Sequence, residues 1–228
     1  MKCLKMPISL NIGVNAMYIY RLFIKRFLDV LLSALAIIVL SPLMLIVAAL
    51  VKIKLGSPVI FSQKRPGKGE KLFRLYKFRS MTDKRDECGN LLPDEERLTQ
   101  FGRTLRTTSL DELPELVNIF KGDMSIVGPR PLLVRYLPFY KDDERIRHSV
   151  RPGLTGLAQI NGRNNVDWDE RLSYDVAYVK HITFGGDVRI ILQTIGKVLK
   201  RRDVASGEQL VMQDLDKERS WILTGERQ

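Results

Sequence analysis

Histidine and cysteine are nearly missing from this chain, with two of each in 228 residues. Cys3 and Cys88 cannot build a disulfide framework and stand in no CxxC spacing, so the thiols are expected to be reduced. His148 and His181 have no neighbours at metal-ligand spacing, which excludes a histidine- or cysteine-held zinc site. There is no P-loop, no dinucleotide fingerprint and no internal repeat. No aromatic-basic stacking motif or helix-turn-helix pattern occurs, so nucleic acid is set aside as a partner. That holds even though the formal charge of +11 and the pI near 9.7 would permit it. The first residues make no ordinary signal peptide: Lys2 and Lys5 precede only a short apolar patch broken by Pro7, Asn11 and Asn15.

The chain does contain one long uncharged run, the 22 residues from Val30 to Val51. At a rise of about 1.5 Å per residue a helix of that length could cross a bilayer. Ser41 and Pro42 interrupt its middle, and proline removes a backbone donor. Both flanks are basic: Arg21, Lys25 and Arg26 before it, Lys52, Lys54, Lys64 and Arg65 after it. A simple span keeps its basic excess on one side. The pattern therefore predicts helix, break, helix, re-entering the side it came from, with carbonyls freed near Pro42 served by the Ser41 hydroxyl or by a close helix contact. A kinked spanning helix is the rival reading. Tyr18 to Asp29 alternates apolar and basic residues at helical spacing and predicts an interfacial helix ahead of the run, with Asp29 paired to Lys25 or Arg26. Basic charge beside this run points to an anionic membrane surface.

About 175 residues follow, enough for one domain with its own core. VIFSQ and KLFRLYKFRSM, joined by a glycine-containing turn, predict a small β-hairpin carrying Lys71, Arg74, Lys77 and Arg79. These cations either hold phosphates or are simply solvated. The charged stretch 82–98 reads as a loop and a short helix. SLDELPELVNIFKGDMS, Ser109 to Ser125, predicts a helix with Ser109 and Glu112 as a capping box and Leu110, Leu113, Leu116, Val117 and Phe120 on its buried face. Asp111 and Glu112 then fall in the first turn, where the dipole favours anions and lowers a carboxylate pKa. They either cap that helix or act in catalysis. IVGPRP stiffens the chain around Arg130, whose forked guanidinium matches phosphate oxygens. Residues 132–150 read as helix and RPGLTGLAQINGRN as an anion-suited loop with Gly153, Gly156, Gly162, Arg151 and Arg163. A helix from about Asp169 carries Asp175, a site acid or a surface residue. Residues 187–202 predict an apolar-faced helix ending in a basic cluster, lying on the membrane or in a soluble core. The tail is polar apart from a helix-like stretch at 215–223.

Taken together and in order, the Ser41-Pro42 run, SPVIFSQKRPG, YKFRSM, SLDELPELVNIFKGDMSIVGPRP and RPGLTGLAQINGRN resemble the bacterial sugar transferases, the monotopic phosphoglycosyl transferases, and among them the small, PglC-like single-domain branch. The resemblance runs from Lys25 to about Lys200. It implies an α/β fold: a re-entrant membrane helix, interfacial amphipathic helices and a compact cytosolic domain. It implies transfer of a sugar 1-phosphate from a UDP-sugar to polyprenyl phosphate with release of UMP, by a ping-pong route. On that resemblance Asp111 is the nucleophile, Glu112 its catalytic partner and ligand of Mg2+, and Arg130 binds substrate phosphate. Lys77, Arg106 and Asp175 are further candidates around the site. The implied location is the bacterial inner membrane, with catalysis on the cytoplasmic face, membrane lipids as neighbours and a homodimer open. The chain then divides into a variable extension 1–17, the membrane helix 18–54, the transferase domain 55–202 and a tail 203–228. A glycosyl transferase releasing UDP, or a non-enzymatic basic membrane adaptor, would share much of this composition.

Overall fold

The computed structural model describes residues 17–161, 167–199 and 213–224. Helix runs from Met17 to Leu55, long and apolar enough to cross a membrane, with a mean hydropathy of 2.9 in its most apolar window. Tyr20–Ile24 form a π-helical turn, and Lys25–Leu55 form α1. No interruption separates an interfacial helix from the apolar run, and none occurs at Pro42, which sits inside α1. The expected helix, break, helix is thus one helix. The reason lies in one hydrogen bond. Pro42 leaves the Ile38 carbonyl without its i+4 donor, and the Ser41 hydroxyl donates to that carbonyl at 2.8 Å. A one-residue repair lets the helix pass its proline.

One stripe of α1 is covered along its whole length. Leu28 packs near Tyr20 and Val127; Ala36, Ile37 and Leu40 pack on Leu75, Leu116, Ile119 and Met124; Met44, Val47, Ala48, Val51 and Leu55 pack around Phe78 and Leu105. The opposite stripe, including Leu31, Leu35, Ile38, Leu45, Ile46 and Ile53, is exposed. Polar anchors hold the first half. Arg26 donates to the carbonyls of Ile119 and Phe120 at 2.7 and 2.9 Å, and Lys25 meets Asp187 at 2.6 Å. Asp29 pairs with neither neighbouring cation. It is buried and accepts from the Ile126 backbone N–H at 2.9 Å. Helical spacing points to neighbours three or four residues away and is blind to a strand 97 residues on.

Gly56, at φ +81°, ends α1. Strands β1 (Ile60–Pro66) and β2 (Leu72–Phe78) form the expected antiparallel hairpin, Ile60 opposite Phe78 and Pro66 opposite Leu72. Helices α2 (Asp94–Arg97) and α3 (Gln100–Thr107) follow; α3 is capped by Thr99, whose hydroxyl accepts from the Gly102 N–H. The stretch expected as one helix from Ser109 is instead a 3-10 turn, Leu110–Glu112, followed by α4, Glu115–Lys121. Ser109 adopts a left-handed conformation, φ +56°, and makes no capping bond. Pro114, at the cap of α4, moves the helix start five residues on. The buried face moves with it: Ile119 and Asn118 are buried and Phe120 is 48% exposed.

Strand β3 (Ser125–Val127) pairs in parallel with β4 (Gly153–Thr155), a register too short to show in the sequence pattern. Between them, residues expected as helix form two 3-10 stretches, Val134–Phe139 and Glu144–Ser149, with Pro138 inside the first. The glycine-rich stretch expected as loop contains β4 and α5 (Leu157–Asn161), while Gly162 and Arg163 lie outside the described residues. Helix α6 (Trp168–Lys180) is capped by Asp167 and buries Leu172 and Val179. Helix α7 (Phe184–Leu199) exposes Phe184, Val188, Leu192 and Ile195 along one side. The basic cluster expected at its end lies outside the described residues. Short helices α8 (Leu215–Glu218) and α9 (Trp221–Thr224) return to the domain. Leu215 is fully buried near Trp168 and Tyr136, and the Arg219 guanidinium meets buried Glu144 at 2.6 Å. Cys88 is free and exposed.

Candidate active site

The hairpin, the 3-10 turn and the loop after β3 converge on one cavity of about 1110 Å³. Lys77, Arg106, Asp111, Glu112 and Arg130 all line it; Asp175 does not. Each arrives by a different local device. Lys77 comes from β2, paired to Phe61 of β1. Arg106 comes from the last turn of α3 and donates to the Ser80 hydroxyl at 3.0 Å. Asp111 and Glu112 come from the 3-10 turn. Arg130 follows β3, where β3 and β4 approach so closely that a Cβ on Gly153 would lie 2.1 Å from the Gly128 nitrogen. Only glycine permits that approach, and it fixes where the Gly128–Pro131 loop leaves the sheet.

The two adjacent carboxylates stand in opposite electrostatic environments. Glu112 Oε1 takes Lys77 Nζ at 2.6 Å and an Arg130 nitrogen at 2.9 Å. Burial works against its charge, but these two cations outweigh it and hold the carboxyl down at about 2. Asp111 is 7% exposed and has no hydrogen-bond partner among the described residues. Burial, reinforced by the Glu112 charge, pushes its carboxyl up to about 6 despite Lys77, Arg106 and Arg130. The expected depression by a helix dipole is absent because no helix begins at Asp111. The side chain is a desolvated carboxyl group lining the cavity, with no cation bonded to it among the described residues.

Two residues that sequence reasoning passed over belong to this arrangement. Glu115, 3% exposed, accepts Lys77 at 3.1 Å and is pushed up to about 7 by burial. Its i+4 spacing from Asp111 was the available signal. Arg147 is wholly buried between Asp175, at 2.8 Å, and the Arg130 carbonyl, at 2.7 Å. Asp175 therefore lies behind Arg130, fixing the guanidinium that holds the loop. Burial raises the Asp175 pKa, and Arg147 opposes the shift.

The cavity has a second chemical character. Leu40 of α1, Leu75, Leu113, Ile126, Leu154 and the α7 residues Ile191, Ile195 and Val198 also line it. Charged and apolar walls meet in one space that the membrane-type helix adjoins. No group of three or more histidine, cysteine, aspartate or glutamate side chains forms a metal cage among the described residues. Mg2+ does not need one, since it commonly takes one or two carboxylates with water and substrate phosphates. Both cations on Glu112 occupy Oε1, so Oε2 and the unpartnered Asp111 carboxylate supply the hard oxygens such an ion requires.

A desolvated carboxylate, a cluster of guanidinium groups and an apolar wall against a membrane-type helix define a membrane-associated group-transfer enzyme acting on an anionic substrate. Residues 20–201 match the bacterial sugar transferase family, and the chain belongs to it. It is 51% identical over 178 residues to EpsL of Bacillus subtilis, an uncharacterised sugar transferase, covering 78% of this chain and 88% of that one. It is 41% identical to the undecaprenyl-phosphate galactose phosphotransferase of Salmonella typhimurium, covering 80% of this chain but 42% of that longer protein. The exopolysaccharide production protein ExoY of Rhizobium meliloti is 38% identical, with 78% and 86% covered.

Proposed function

We propose that this chain transfers a sugar 1-phosphate from a UDP-sugar to polyprenyl phosphate, releasing UMP, through a covalent intermediate on Asp111. The Salmonella relative is an undecaprenyl-phosphate galactose phosphotransferase, which supports this reaction class. The observation that carries the assignment to Asp111 is its state: buried, unpartnered, facing the cavity and one residue from a glutamate that absorbs the neighbouring cations. An Asp111 oxygen attacks the sugar-linked phosphorus. The bond from that phosphorus to the bridging oxygen breaks, and UMP departs with the electron pair. An oxygen of the lipid phosphate then attacks the same phosphorus and frees the carboxylate. Arg130 and Lys77 stabilise charge on the phosphoryl oxygens, and Arg106 adds to this from the α3 side. Glu112 Oε2 and Asp111 would hold Mg2+, which neutralises phosphate charge and makes the phosphorus more electrophilic. Asp175 acts through Arg147, keeping the Arg130 loop in place.

The same reading gives the membrane topology. Residues near both ends of α1 contact the same domain, Arg26 at one end and Val51 at the other. A helix pinned along one stripe to a single domain stays on that domain's side of the bilayer, which supports an element that dips into the membrane at the cytoplasmic face without crossing it. The exposed side of α7 would rest in the same interface. The proposed division is a membrane helix 18–54, a catalytic domain 55–202 and flanking segments, with a homodimer compatible but not required by the site. The direct test is incubation with a panel of UDP-sugars, undecaprenyl phosphate and Mg2+. Release of UMP is expected. Release of UDP would identify a transfer of the sugar alone, and no nucleotide release with any sugar would favour a membrane adaptor.

A further inference from the structure

Eight cations line the cavity, and the partners they meet set two of them apart. Lys77 and Arg130 are engaged by Glu112. Arg79 is taken by the Met81 and Ser57 carbonyls and by Asp83; Arg97 is taken by the Thr82 carbonyl and by Asp94. Arg65 and Arg171 are different. Among the described residues Arg65 donates only to the neutral Gln63 side chain, at 2.7 Å, and its buried Nε has no partner there. Arg171 lies over the Trp168 ring at 5.0 Å and makes no hydrogen bond to a carboxylate among the described residues. The nearby acids are committed elsewhere, Glu115 to Lys77 and Asp175 to Arg147. Both guanidiniums lie close enough to Arg130 to feel its charge; burial and then that repulsion lower each to about 10. Three guanidiniums line one cavity, two of them without a paired carboxylate among the described residues, an arrangement that an anionic ligand would complete.

We infer that Arg65 and Arg171, beside Arg130, form a second phosphate subsite that holds the nucleotide's own phosphate and then the departing UMP. The inference rests on the reading of Asp111 as nucleophile. Asp111 lines the cavity with Lys77, Arg106 and Arg130, two of which meet the adjacent Glu112, so on this reading the attacked phosphorus lies among those cations. The other phosphate of the diphosphate extends past Arg130 toward Arg65 and Arg171. When the bridging bond breaks, UMP gains a negative charge, and cations at that position stabilise the transition state more than the bound substrate. The lipid acceptor brings a single phosphate, which occupies the first position only. Arg65 and Arg171 therefore serve the first half-reaction and not the second.

Without acceptor, the enzyme should exchange labelled UMP into a UDP-sugar that the wild type turns over. In Arg65→Gln and Arg171→Gln the KM for UMP in this exchange is expected to rise about tenfold or more. Intermediate accumulated on the same variants should discharge to polyprenyl phosphate within twofold of the wild-type rate. Arg65→Lys and Arg171→Lys, with melting temperature followed in parallel, keep the charge and should fall between. Exchange unchanged in all four variants would overturn the subsite, as would an equal loss in both half-reactions by variants that melt like the wild type. A wild type that releases UMP but exchanges none would overturn the covalent reading itself.

Discussion

At the scale of single residues, the chemistry follows from how burial and charge are distributed over neighbours. Asp111 and Glu112 are adjacent in sequence, yet one is pushed up to about 6 and the other held near 2. Lys77 and Arg130 make the difference by converging on Glu112. Glu112→Gln should release both cations and weaken the apparent Mg2+ affinity; a metal titration of turnover unchanged from wild type would contradict the ligand role. His148 gives a pH prediction away from the carboxylates. It is buried against Tyr140 at 5.3 Å, and burial, with Arg147 and Arg145, lowers its pKa to about 3. The imidazole is neutral in the folded chain but protonates near 6.5 when unfolded. Stability is therefore full above about 6.5 and lost as pH falls from there toward about 3. Thermal melts of wild type should drop over that window, and His148→Phe should flatten part of the slope. Arg130, Asp111 and Glu112 stood out as candidates in the sequence because each lies in a distinctive motif, and the structure brings the three to one cavity. Arg147 was not, since only tertiary structure places it against the Arg130 carbonyl.

At the scale of elements, strong periodic patterns survived and local start signals did not. The β-hairpin and α6 lie where the residues predict them. The helix at Ser109 failed because a capping-box pattern competes with Pro114, and the chain resolves this with a 3-10 turn that sends the carboxylates into the cavity. The residues from 132 to 150 lost their helix to Pro138 and to tertiary contacts of Arg147 and Glu144. At Pro42 the reverse happened: α1 continued where proline was expected to break it, because Ser41 serves the Ile38 carbonyl. Ser41→Ala should leave that carbonyl unserved and cost about 1 kcal/mol or more, read as a lower melting temperature in detergent. The β3–β4 pair was invisible at three residues per strand. Gly153→Ala would force a Cβ onto the Gly128 nitrogen and should cost about 1–3 kcal/mol with reduced turnover, since the Arg130 loop must shift.

At the scale of the whole molecule, a long apolar helix, a basic cavity and a returning C-terminal segment form one unit. The tail, which showed little pattern beyond a helix-like stretch, is docked: Arg219 is 3% exposed and bonded to buried Glu144. Arg219→Ala should cost about 3–5 kcal/mol by leaving that carboxylate unpaired, measured by denaturant unfolding. Both ends of α1 are held by the same domain, so cysteines placed at Lys25 and Lys54 should be labelled from one side of a sealed vesicle; labelling from opposite sides would contradict the re-entrant topology. The central claim is that Asp111 carries the phosphosugar between a soluble donor and a lipid acceptor. Mass spectrometry of peptides from enzyme incubated with UDP-sugar and Mg2+, without acceptor, tests it most directly. The account predicts a sugar-phosphate adduct on Asp111 that disappears on adding polyprenyl phosphate and is absent from Asp111→Asn. An adduct retained by Asp111→Asn, or an active enzyme that never forms one, would contradict it.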